Sequence, residues 1–167
     1  LQLMSALPVD QARAMVSGKT NVSYDLGISF GTQIEYNAPD GTNYLWFPGN
    51  KVILKAKWDV RTSREVVEGQ DTTVMCFQYG TNTYNPATQT SGGAWECESF
   101  GRYVHTTVDR KDGDVFGISK TTPVPHILAK DAVSPYVPHT LPIDIPHLTN
   151  GKSPIEHMQD DFTKLKN

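Results

Sequence analysis

No stretch of this sequence approaches the roughly 18 to 20 consecutive apolar residues that a helix needs to cross a bilayer, so a membrane-spanning chain is not expected. Charge of one sign is missing too: 15 Lys and Arg stand against 18 Asp and Glu, a net of −3, and the cations are scattered. Without a basic patch the chain lacks the footprint of a nucleic-acid or anionic-membrane binder. Cysteine is nearly absent, with only Cys76 and Cys97, and these lack the C-x-x-C spacing of zinc sites. The chain begins at Leu1 with neither an initiator Met nor a charged-then-apolar leader, which fits a mature protein whose targeting peptide has been removed. No set of residues names a reaction, so no catalytic residue, metal or cofactor is expected and the chain reads as a non-enzyme.

What is present divides in two. Residues 121–167 carry seven of the eleven prolines, each of which fixes φ and removes a backbone donor, so this tail runs extended. It is also too apolar for a solvated linker. Pro123, Pro125, Ile127, Leu128, Tyr136, Val137, Pro138, Leu141, Ile143, Ile145 and Leu148 are its candidate contact residues, laid on the body or on a protein partner. Residues 1–120 are long enough for a single core of ordinary domain size.

Within that body, Pro8-Val-Asp-Gln-Ala-Arg-Ala-Met-Val-Ser-Gly places Pro in the first turn and Gly18 after the last, the pattern of one N-terminal helix. Eight β-rich runs follow, at 21–24, 28–36, 43–47, 52–60, 73–79, 95–100, 103–108 and 115–119, separated by Gly, Asn, Asp and Pro turns. The expected fold is therefore mainly β: a small antiparallel meander closing into a barrel or sandwich, with one N-terminal helix and an extended C-terminal tail.

Cys76 and Cys97 each sit in an aromatic strand-like run, and the Gly/Asn/Thr-rich segment between them can fold back as a hairpin. Paired strands would bring the sulfurs within bridging reach. A bridge closing this loop is worth about 3 kcal/mol in the chain-entropy model and implies an oxidising compartment; the alternative is two buried free thiols in the cytosol.

Five elements in order, Ser17-Gly-Lys-Thr after the helix, Tyr36-Asn-Ala-Pro-Asp-Gly-Thr, Lys57-Trp-Asp-Val, Met75-Cys-Phe-Gln-Tyr and Trp95-Glu-Cys, resemble a family of small secreted or periplasmic β-domains of alphaproteobacteria, a rhizobial-type domain of unknown function. The resemblance covers roughly residues 7–118. It implies a periplasmic barrel-like domain with a Cys76–Cys97 bridge, and carries no activity. The long Tyr-Asn-Pro insertion between the cysteines and the proline-rich tail depart from the family's compact pattern.

Other candidates have bland readings. Three of the five histidines follow proline directly, yet ligands strewn along an extended chain have no preset geometry for a metal. Asp109, Asp112 and Asp114 around Gly113 lack the spacing and the bidentate Glu of a calcium loop and read as a charged hairpin turn. Glu35, Glu96 and Glu98 with His105 form an acid–base set only if they turn inward, and strand alternation points most of them to water. Tyr44-Leu-Trp-Phe puts four large apolar residues in succession, so either both faces of that strand are covered or some rings are exposed. The leading functional expectation is an accessory subunit of an envelope assembly, held to its protein partner by the tail. The alternative is a barrel that binds a small molecule or glycan through Tyr44, Trp46, Tyr79, Tyr84 and Trp95.

Overall fold

Pro8, with φ of −55°, stands at the N-cap of the anticipated helix, where its missing donor costs nothing. A computed structural model of the chain describes residues 2–23, 33–85, 90–125 and 127–128. In it a short helix α1 (Gln2–Ser5) precedes α2 (Val9–Val16), whose Ala12 and Val16, four residues apart on one face, are fully buried. Gly18 turns the chain out of the helix with φ of +68°, a value that L side chains rarely adopt.

Strands β1 (Lys19–Ser23), β2 (Gln33–Asn37), β3 (Thr42–Trp46), β4 (Leu54–Ser63) and β5 (Thr72–Tyr79) follow as an antiparallel meander. The β2–β3 connection is the expected turn: Asp40 Oδ1 accepts the Thr42 N–H at 2.8 Å, and Gly41 takes φ of +90°. A two-stranded hairpin of β6 (Tyr84–Asn85) and β7 (Thr90–Ser91) interrupts the path to β8 (Trp95–Ser99). Helix α3 (Phe100–Thr106) then leads into β9 (Thr107–Asp112), and a 3-10 turn occupies Ile118–Lys120.

The sheet order is β8-β5-β4-β3-β2-β1-β9, so β8 and β9 are its two edges and do not pair with each other. This corrects the expected barrel: the main sheet is a single open one of seven strands. The physical reason lies in α3. Residues 103–108, rich in aromatic and β-branched side chains, read as a strand, but Phe100, Tyr103 and Val104 stand at helical spacing and all three are buried. Ser99 caps the helix, its Oγ accepting the Arg102 N–H at 3.3 Å. The strand pattern at 107 begins only where this helix ends, and a seven-residue helix, about 10 Å long, bridges two edges that a barrel would have to zip together. The strand expected at 115–119 is replaced by the 3-10 turn, where Asp114 accepts the N–H groups of Ile118 and Ser119 at 3.0 and 2.9 Å. Asp114 is thus a cap, and no hairpin follows Gly113. Residues 24–32 and 86–89, part of the expected strand at 28–36 and of the loop between the cysteines, lie outside the described residues.

Each face of the sheet carries an apolar cluster. On one, α1, α2 and α3 close over Trp58, Val60 and Met75, with Met4, Ala12, Val16, Phe100 and Val104 filling the space between. On the other, Val22, Ile34, Trp46, Ile53, Ile118 and Leu128 form a second apolar cluster. The first residues of the proline-rich segment are part of this second layer. Val52 and Pro123 form an antiparallel bridge, the N–H of Ile53 donates to Thr122 O at 2.9 Å, that of Val124 to Lys51 O at 3.1 Å, and that of Gly49 to Leu128 O at 2.9 Å. No helix of the described residues is long and apolar enough to cross a membrane.

Because Leu128 is only 2% exposed while Ile127 beside it remains 47% exposed, the two predict opposite outcomes. Leu128→Ala should cost about 2–4 kcal/mol in urea unfolding, and Ile127→Ala no more than about 0.5 kcal/mol. Equal losses would show that the segment does not belong to the core.

Candidate functional site

Alternation along β1, β2 and β3 sends Val22, Ile34, Tyr36, Tyr44 and Trp46 to the second apolar cluster. Asn21, Glu35, Asn37 and Asn43 consequently point to the helical face, where all four are buried. Here they meet Tyr103, brought in from above by α3. The Tyr103 hydroxyl accepts the amide N–H groups of Asn21 and Asn37, each at 3.1 Å, and donates to Glu35 Oε1. Asn43 Nδ2 donates to Glu35 Oε2 at 3.0 Å and to Asn37 Oδ1 at 2.8 Å. Tyr103, Glu35, Asn43 and Asn37 therefore close a ring of hydrogen bonds, and Arg110 Nε of β9 joins it from outside by donating to Asn21 Oδ1 at 3.0 Å.

Burial pushes the Glu35 carboxyl above its ordinary value, against the opposing pull of the Tyr103 and Asn43 hydrogen bonds and the Arg110 charge. Burial also raises the Tyr103 hydroxyl well above its usual range, and the adjacent Glu35 adds to that. Tyr79 is raised in the same way, first by burial and then by Glu35, Glu96 and Glu98. Asn43 Oδ1 is buried without a hydrogen-bond partner among the described residues. Chemically the ring is a buried place where loss of solvent disfavours the charged carboxylate. It also fastens α3 to the middle of the sheet.

The residues read from the sequence fall elsewhere. His105 is exposed on α3 and pairs with no carboxylate among the described residues, while Glu35 of the same proposed set is in the ring and Glu98 pairs with Arg102 at 3.4 Å. Trp46 is fully buried with Phe116 edge-on to it at 5.6 Å, and Tyr44 stacks on Tyr36 beneath Lys55. Trp95 lies on the same side of the sheet under the Arg61 guanidinium, Tyr79 is on the helical face, and Tyr84 is 61% exposed on the β6–β7 hairpin. The structure does not bring these five rings together. Pro123 bridges to Val52 and Leu128 is buried in the second cluster, Pro125 and Ile127 are exposed, and Tyr136, Val137, Pro138, Leu141, Ile143, Ile145 and Leu148 lie outside the described residues.

Cys76 and Cys97 are bridged, directly opposite one another in the β5–β8 register with Cα atoms 4.1 Å apart. This is the close spacing of a non-hydrogen-bonded antiparallel pair. Comparison of the chain with protein-family models, curated proteins and solved structures gives no match.

Two outcomes test the ring. Tyr103→Phe removes one hydroxyl and strands the Asn21 and Asn37 donors, and should cost about 1–3 kcal/mol in chemical unfolding. Glu35 has a folded pKa raised above its unfolded one, so its contribution is complete below the unfolded value of 4.5 and is lost as pH rises through the folded value. Glu35→Gln should therefore gain stability relative to the native chain as pH is raised from 4.5 toward neutrality. Parallel stability curves for the two proteins would show that Glu35 titrates as an ordinary carboxyl.

Proposed function

We propose that this chain is a non-enzymatic interaction module of the bacterial periplasm, an accessory subunit held to a larger envelope assembly through the segment that begins at residue 121. The observation that carries the reading is the docking of Thr122, Val124 and Leu128 on the body, through three backbone hydrogen bonds and the buried Leu128 side chain. A tether clamped at its root loses less freedom on binding than one that swings, and extended prolyl segments have less to lose from the start. Pro123, Pro125 and Ile127 are exposed along this root, and Val52 beside it is 46% exposed, so an apolar strip continues outward from the clamp.

The Cys76–Cys97 bridge favours an oxidising compartment. Membership of the alphaproteobacterial β-domain family belongs to the same proposal and rests on the five sequence elements alone. A glycan-binding reading has less to support it, because Tyr44, Trp46 and Trp95 share one face, Tyr79 has the other, and Tyr84 is on the hairpin.

A chain ending at residue 130 keeps Leu128 and its hydrogen bonds and should fold with native stability. It should nevertheless lose the proteins that the full chain retains after crosslinking in envelope extracts. A partner held equally by both chains would sink the proposal.

A further inference from the structure

The disulfide has two unequal ends. Cys76 is fully buried in β5, whereas Cys97 is exposed on β8, an edge of the sheet. The register places three rows of side chains across this face: Arg61, Val74 and Ser99; then Asp59, Cys76 and Cys97; then Lys57, Gln78 and Trp95. Arg61 belongs to the first row and Trp95 to the third, yet the Arg61 guanidinium stands 4.1 Å from the centre of the Trp95 ring. The two can meet only above the middle row, which contains the disulfide. Arg61 Nε also donates to Asp59 Oδ2 at 2.9 Å, and Arg13 approaches Asp59 Oδ1 at 2.8 Å. Although burial raises Asp59, the hydrogen bonds from Arg61 and Arg13 outweigh it and hold the carboxyl below its usual range. Two guanidinium groups thus meet one carboxylate next to Cys76.

We infer that Cys76–Cys97 is an exchangeable bridge, entered at Cys97 by an external thiolate and opened with Cys76 as the leaving thiolate under Arg61. A nucleophile needs an open line to the sulfur that it attacks, which the edge position of Cys97 gives and the burial of Cys76 denies. A leaving thiolate departs faster when a cation lowers its pKa, and Arg61 is held across that row by the Trp95 stack. The thiolate of a dithiol forms a bond to Cys97 Sγ while the Cys97–Cys76 bond breaks, and the electron pair of that bond leaves with Cys76. The second thiolate of the dithiol then attacks its own partner sulfur in the mixed disulfide, which closes the reagent's disulfide and releases Cys97 as a thiolate. Two electrons pass from dithiol to bridge, and the reverse path reoxidises the protein. The class of partner is a thiol–disulfide oxidoreductase, or a small thiol acting by the same chemistry.

The test uses the full oxidised chain without denaturant, with dithiothreitol and then glutathione as the thiolate. Reduction by dithiothreitol should proceed at a rate that stays flat through the urea concentrations below the unfolding transition. Peptide mapping after acid quench of the glutathione reaction should find glutathione on Cys97 at least tenfold more often than on Cys76. Arg61→Gln should slow the reaction several-fold with no change in far-UV circular dichroism. Cys76→Ser, if it folds, leaves a Cys97 that reacts readily with glutathione disulfide; if it does not fold, the mapping on the native chain decides. A reduction rate that rises with urea in step with global unfolding would overturn the inference, as would glutathione divided evenly between the two cysteines. A rate for Arg61→Gln equal to the native one would remove the part assigned to Arg61.

Discussion

The hydroxyl of Tyr103 ties the open edges of this sheet to its middle. Helix α3 leaves the β8 edge at Phe100 and reaches the β9 edge at Thr107, and along the way Tyr103 reaches down to Asn21 of β1 and to Glu35 and Asn37 of β2. Phe100 and Val104 of the same helix pack into the apolar cluster around Trp58 and Met75. One short helix therefore holds an apolar contact at one end of the sheet and a polar one at the other. A seven-residue helix is too short to be stable by itself in water, so α3 exists because the sheet below it accepts both kinds of contact.

The polar ring is costly to bury and is satisfied at nearly every atom, the Asn43 Oδ1 aside. Its value is in geometry. An apolar patch tolerates sliding, whereas a hydroxyl that must accept from two amides and donate to one carboxylate oxygen has a single seat. The opposite face is secured by different means. There the layer is assembled late in the chain, from Ile118, Val124 and Leu128 laid over Trp46, Ile34 and Val22, so the body is not complete until the proline-rich segment has begun.

Much of the architecture was legible in short-range pattern. The helix after Pro8, the strands β1 through β5, the Asp40-Gly41 turn and the pairing of Cys76 with Cys97 follow from local rules of φ, alternation and turn chemistry. The candidate site was not legible. Asn21, Glu35, Asn37 and Asn43 alternate with apolar residues, and a polar residue in such a strand is ordinarily the one facing water. The available signal was the run Tyr44-Leu-Trp-Phe, which left either both faces of β3 covered or some of its rings exposed; Trp46 and Leu45, buried on opposite faces, meet the first of these. Its neighbours' asparagines were therefore also under cover.

By itself the sequence determined that this is a mainly β chain with a short N-terminal helix, because those properties depend on residues close together along the chain. Only the tertiary structure decided that the sheet stays open, that residues 103–106 are helical rather than extended, and that the polar face of β1–β3 is inside. Each of those choices turns on what a segment packs against many residues away, as Tyr103 does against Asn21 and Glu35. Local propensity carries no record of such a partner, and burial by a distant element can reverse what propensity prefers.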